Sequence, residues 1–204
     1  MSNRDVRLIN VILSAGENTP KWSLNRHVVE DALSIYHSEG ENQGERAMQV
    51  HLPKGVIFFQ FNIDGNSRLQ FGPHYSQDLA ANQSMLLYNP SMDLDFVCSM
   101  SEGTRSAIIV TMVDVLHGLL VEDAEDIHFL NEQNIDNKYY LKQGISPNLK
   151  LTVEQLYSNN MGTIARRLYL SAKAYEMLSH YFARDEQSDY LDRCPFLKDQ
   201  RNVE

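Results

Sequence analysis

The most chemically versatile side chains in this chain are seven histidines: His27, His37, His51, His74, His117, His128 and His180. Two imidazoles share one face of a strand as His-x-His, or one face of a helix as His-x-x-x-His, and small β-barrel metalloenzymes use such pairs with a Glu just beyond. Neither spacing occurs here. The nearest approach to a site-like loop is Phe71-Gly72-Pro73-His74-Tyr75, where a single histidine reads as an ordinary satisfied turn residue. Asp93 and Asp95 stand at i and i+2, which puts both carboxylates on one face of a strand. Paired carboxylates hydrolyse glycosides, but with Leu94 and Phe96 on the opposite side this pair reads as a solvated face. The chain holds no Gly-x-Gly-x-x-Gly, P-loop or Gly-x-Ser-x-Gly pattern. The sequence therefore assigns no catalytic residue, no metal ligand and no cofactor.

The remaining candidate chemistry is aromatic. Trp22, Phe59, Phe61, Tyr88 and Phe96 are candidates to line a small-molecule pocket, since such sites are largely apolar with a few polar anchors. Each is also an ordinary core residue by type. Trp22, the sole tryptophan, falls in a segment ahead of the main run of strands.

Strands must position these rings. Short β-prone runs cover Asp5–Leu13, Ala32–His37, Met48–Leu52, Val56–Ile63, Ser67–Phe71, Ser84–Tyr88, Asp93–Cys98 and Arg105–Met112, separated by Gly, Pro and Asn turns. Ile57, Phe59, Phe61 and Ile63 alternate onto one face. Asp64-Gly65 then reads as a tight hairpin turn, with Ser67–Phe71 as the returning partner. No helices long enough for parallel crossovers intervene, so a barrel or jelly roll is expected.

Helical periodicity begins near Thr111. Met112, Val115, Leu116, Leu119 and Leu120 form a stripe, with Thr111 and Asp114 as a capping box. Asp126–Leu130 reads as strand-like. Ser146-Pro147 is an N-cap serine followed by proline at the first helical position, opening a helix that Asn159-Asn160-Met161-Gly162 breaks. The last helix runs over about 163–183 and carries two apolar stripes. Ile164, Leu168, Tyr175, Leu178 and Phe182 form one; Leu170, Ala174, Met177 and Tyr181 form another roughly 110° away. Two stripes imply two neighbours: one is the preceding helix, the other the barrel or a second subunit, and the second stripe is assigned to the subunit in preference to internal packing. The fold class expected is α+β: a cupin-like or jelly-roll barrel over residues 1–140, a helical dimerisation hairpin over 141–186, and a linker over 187–204.

Composition bounds the function. A hydrophobic fraction of 43% suits a globular core. The formal charge is −9, from 18 basic and 27 acidic residues, which disfavours direct binding to nucleic-acid phosphates. No apolar run is long enough to span a membrane, and the N-terminus lacks a signal-peptide core. Cys98 and Cys194, far apart, read as reduced thiols of a cytoplasmic protein.

The last helix also carries a resemblance. Leu168, Tyr169, Leu170, Lys173, Ala174, Glu176 and Leu178 match a Leu-Tyr-Leu-x-x-Lys-Ala-x-Glu-Leu-Leu stretch, with Met177 replacing a leucine. In this the chain resembles the N-terminal regulatory domain of AraC-type transcription regulators, in the branch containing siderophore-responsive members. The resemblance implies a small-molecule effector, a homodimer, and action on DNA only through a domain absent from this chain. It also implies that the chain is truncated, residues 199–204 leading toward that domain. The rival expectation is a cupin-type metalloenzyme acting on a small molecule. Lys173 and Glu176, at i and i+3, read as a surface pair.

Overall fold

The computed structural model describes residues 8–15, 22–39, 44–157 and 162–183. Eleven strands are found among them: β1 (Asn10–Ala15), β2 (Ser23–Glu30), β3 (Leu33–Glu39), β4 (Arg46–Leu52), β5 (Val56–Asp64), β6 (Ser67–Gln70), β7 (Ser76–Leu79), β8 (Gln83–Tyr88), β9 (Leu94–Met100), β10 (Arg105–Met112) and β11 (Tyr139–Gly144). The helices are α1 (Val113–Leu120), α2 (Pro147–Gln155) and α3 (Thr163–Phe182), with a 3-10 segment at Val121–Asp126. One sheet has the order β1-β4-β9-β6-β7 and the other β11-β8-β5-β10-β3-β2. Their pairings are antiparallel. This is the expected α+β class, a jelly-roll-like sandwich with C-terminal helices.

Two apolar layers follow from the alternation of side chains along the strands. The inner layer lies between the sheets and draws on both: Met48, Val50 and Leu52 from β4, Phe96 and Cys98 from β9, Phe58 from β5, Met85 and Leu87 from β8, Ile108 and Val110 from β10. The outer layer covers the far side of the six-stranded sheet with the helices. Ile57, Phe59, Phe61 and Ile63 of β5 meet Leu149 and Val153 of α2 and Leu170, Ala174, Met177 and Tyr181 of α3. Strand β5 is thus buried on both faces. The expected alternation is present, but its all-apolar side faces the helices instead of the barrel interior.

Several expectations are corrected. Asp64-Gly65 does not close a hairpin: β5 belongs to the six-stranded sheet and β6 to the other, where it pairs with β7 and β9. The turn is a corner between sheets. Gly65 adopts φ +67°, and a Cβ there would lie 2.5 Å from Thr104 Oγ1, so only glycine fits the corner. Asn62 holds it together, donating to the carbonyls of Gly65 (3.2 Å) and Leu79 (3.1 Å) and accepting from Ser67 Oγ. The residues 126–130 are not a strand. Ile127, Phe129 and Leu130 are apolar because they cover the outer layer from an irregular turn, with the Phe129 ring stacked 5.0 Å from Tyr139. Thr111 is the penultimate residue of β10, buried, and Met112 takes the N-cap position of α1 with no side-chain cap. Residue 140, the expected end of the β-rich part, lies inside β11, which completes the sheet to Gly144. Strands β2, β7 and β11 were hidden by their polar composition.

The start of α2 matches its signal: Ser146 Oγ accepts from Leu149 N at 3.2 Å, with Pro147 first in the helix. The helix ends at Gln155. Residues 159–161 of the expected breaker and the expected linker over 187–204 lie outside the described residues, as does Cys194.

Candidate functional site

The five aromatics proposed for a pocket fall into different layers. Trp22 and Phe96 belong to the inner layer, where Phe96 makes an edge-on contact with Phe58 at 5.3 Å. Phe59, Phe61 and Tyr88 belong to the outer layer and line no space between the sheets. Tyr181 of α3 lies edge-on to Phe59 at 5.1 Å and to Phe61 at 5.9 Å. Tyr88 donates its hydroxyl to the Ile135 carbonyl at 2.7 Å. These three rings fasten helices and loops to the sheet; they do not converge with Trp22 and Phe96.

A different constellation occupies one end of the sandwich interior. It runs from Gln60, at the middle of β5, to the starts of β4 and β10 and the ends of β3 and β9. Gln60 of β5 is 0% exposed, between Phe58 and Asn62 on the inner face. Its Oε1 accepts from Cys98 Sγ across the sandwich at 3.6 Å, and its Nε2 has no hydrogen-bond partner. Arg46 of β4 is 1% exposed; its Nη2 donates to the Thr104 carbonyl at 2.7 Å, and its guanidinium lies 5.5 Å from the Trp22 ring centre. Ser106 Oγ, from β10, reaches Met100 Sδ of β9 at 3.8 Å. Met100 is the register partner of Arg46. Burial lowers the Arg46 pKa, and burial pushes the Cys98 thiol up to about 12 against a smaller pull from Gln60. Cys98 is therefore a packing residue and no nucleophile at neutral pH.

The helices reach this end through Tyr157, just past α2. Its hydroxyl donates to the Ser106 carbonyl at 2.7 Å, its ring meets His37 edge-on at 6.1 Å, and the Arg105 guanidinium lies 5.8 Å from the ring centre. The ladder between β10 and β5 shifts register at Arg105/Ser106. Such irregularities re-aim backbone groups, and this one coincides with the carbonyl that Tyr157 takes up. Burial raises the Tyr157 pKa, keeping the hydroxyl a proton donor.

The last helix has two apolar sides, as read, and both contribute to this chain's own core, the first of them through Leu178 and Phe182. Leu170, Ala174, Met177 and Tyr181, assigned to a partner subunit, are buried within this chain. The reason is that the six-stranded sheet offers its whole outer face as a second neighbour besides α2. A charge at Met177 would break the chain's own core, so that position cannot test an interface. On the other side Ile164 is 81% exposed and Leu168 72%, with Tyr175 partly exposed. Lys173 and Glu176 do pair, at 2.6 Å, but not as a free surface couple. Lys173 Nζ also donates to Gln155 Oε1, Thr152 Oγ1 donates to Glu176 Oε1 at 3.0 Å, and Tyr169 donates to the Gln155 carbonyl at 3.2 Å. Three of the motif residues thus lace α3 to α2.

Sequence reasoning missed Arg46, Gln60 and Tyr157. One signal was available: Gln60 and Asn62 are the two polar residues of Val56–Ile63, an otherwise aromatic and aliphatic run, and a polar residue in such a strand is buried whichever way it faces. Among the described residues, no three His, Cys, Asp or Glu side chains are grouped to hold a metal. His51 lies 2.7 Å from Asp95 and 3.7 Å from Asp93, an exposed cluster on the outside of the five-stranded sheet.

A jelly-roll-like sandwich with polar groups in its interior and helices latched to its outer face defines a class by fold: a helix-capped β-sandwich domain. The chain belongs to the family of the regulatory protein PchR N-terminal domain, whose model matches residues 21–191. No curated protein sequence matches it. Among solved structures, apo ToxT from Vibrio cholerae is similar at 18% identity, over 87% of this chain and 62% of that one, with a TM-score of 0.43. The AraC-like transcriptional activator CuxR is similar at 12% identity, over 92% and 65%, with a TM-score of 0.48. A cupin superfamily protein from Desulfitobacterium hafniense aligns over 53% of this chain at 10% identity, with a TM-score of 0.29. The chain thus spans less than two thirds of either regulator. No helix among the described residues is long and apolar enough to cross a membrane.

Proposed function

We propose that this chain is the small-molecule-sensing and dimerising part of an AraC-type transcription regulator, working in the cytoplasm and reaching DNA through a separate domain. The observation that carries the reading is the polar end of an otherwise apolar sandwich, built around Gln60 and Arg46 and touched from outside by Tyr157. A core made only for stability has no use for an orphaned amide nitrogen, which costs about 1–3 kcal/mol. Membership of a regulatory-domain family supports the same reading. The sensor is not an enzyme in this account: it binds its effector and passes on the change.

The test is ligand-linked stabilisation. A compound that binds only the folded state raises Tm with its concentration. Small organic acids, amides, sugars and metal chelates should include at least one that raises Tm saturably and perturbs the single indole N–H resonance of Trp22. A folded chain that responds to none of them would sink the sensor reading.

A further inference from the structure

The interior end described above has a chemical bias that narrows what it could bind. Gln60 Nε2 offers two N–H groups and accepts nothing, and it is fully buried without a partner. Its neighbour across the interior, Cys98, is register partner to Met48, one inward-facing position along β4 from Arg46. The buried cation and the orphaned donor therefore line the same stretch of the interior, with Trp22 against the guanidinium. The walls beside them, Phe58, Phe96 and Met48, are apolar.

An approach exists at the same end. A groove of about 680 Å³ runs over the edges of the two sheets, and its lining includes Met100, Ser67 and Leu79. Met100 is paired in register with both Arg46 and Ser67 and contacts Ser106. Met100 thus borders both the groove and the Arg46 side of the interior. Methionine repacks more easily than branched side chains.

We propose that Arg46 and Gln60 form an oxyanion-anchoring subsite, and that the effector is a small organic acid whose carboxylate they hold while its apolar body lies along the inner layer. The proposal rests on the sensor reading above and adds the ligand's charge. A carboxylate offers acceptor lone pairs to both donors at once. Beside a buried guanidinium its charge is poorly screened, so a neutral molecule of equal shape gains much less.

Benzoate and benzamide are matched probes, alike in shape and different in charge. Titrated into the whole chain, benzoate should shift the Trp22 indole resonance saturably, with benzamide at least about tenfold weaker, as expected for loss of a charge-assisted hydrogen bond. Gln60→Leu, checked by circular dichroism, should weaken benzoate about tenfold and benzamide by less, since a charged acceptor loses more with the donor than a neutral one. Benzamide binding as tightly as benzoate would overturn the charge assignment while leaving a sensor in place. Indifference of benzoate to Gln60→Leu would overturn the subsite. No response to either probe overturns the proposal, and the broader thermal screen then decides whether sensing itself stands. The benzoate–benzamide contrast uses the unaltered chain, so the proposal stays testable even if the variant fails to fold.

Discussion

At the residue scale, His27 is the titratable group with the most to say. It sits on β2, and its Nε2 is 3.0 Å from Ser171 Oγ on α3. Burial lowers its pKa below 6.5, and the positive charge of Arg167 and the neighbouring His37 lower it further, against a hydrogen bond that the ring donates to the Arg167 backbone. The unfolded chain therefore takes up a proton before the folded one does. Stability tied to His27 is complete above about pH 6.5 and is lost as the pH falls from there toward the folded value. We predict that the wild-type Tm drops more between pH 7.5 and 5.5 than that of His27→Gln, which keeps a polar contact to Ser171 but does not titrate. Equal drops, followed by circular dichroism, would show that other groups carry the dependence. Gln60 illustrates the opposite property: it never titrates, yet it is the residue that most distinguishes this interior from a plain core.

At the element scale, the α2–α3 seam decides whether the helices behave as one body. Lys173→Met should destabilise the chain by roughly 1 kcal/mol, a modest figure because Glu176 is partly exposed. The lysine holds the Glu176 carboxyl below its usual range, with help from Thr152 and His180. That contribution is present above the unfolded carboxyl value and fades as the pH falls through the folded one. The gap between variant and wild type in urea denaturation should therefore narrow in acid, and a constant gap would place the effect in packing. Much of this scale was legible in the sequence. Ser146-Pro147 marked the start of α2 because a cap is a local device that leaves a local signature. The two stripes of α3 were visible for the same reason. Their partners were not, because periodicity shows that a face is apolar without showing what covers it. The Asp64-Gly65 corner failed likewise: a positive φ serves a hairpin and a sheet-to-sheet corner equally well. Arg46 and Gln60 escaped because their meeting depends on β4, β5 and β9 coming together across two sheets.

At the scale of the whole molecule, the exposed side of α3 is the natural seat for a second copy. Ile164 and Leu168 lie one helical turn apart, largely open to solvent, with Tyr175 farther along the helix. Burying such side chains is worth about 1.5–3 kcal/mol each. We predict that the chain is a dimer by sedimentation equilibrium and that Ile164→Asp with Leu168→Asp makes it monomeric with an unchanged circular dichroism spectrum, since neither side chain supports the protomer, and with a Tm lowered only by the lost association. A dimer that survives the double substitution would move the interface elsewhere. The acidic charge of the chain, −9, disfavours phosphate contacts by this surface.

Strand β5 gives this arrangement a further meaning. Gln60 points inward, while Phe59 and Phe61, its neighbours in the chain, point outward into Tyr181. If the interior is the sensor proposed above, input and output would be adjacent links of one backbone, and a message from the interior need not travel along a relay of side chains. A small roll of β5 about its own axis, made to seat a guest on one side, necessarily turns two aromatic rings on the other. The sheet would act as a rocker, with its fulcrum in the peptide bonds on either side of Gln60.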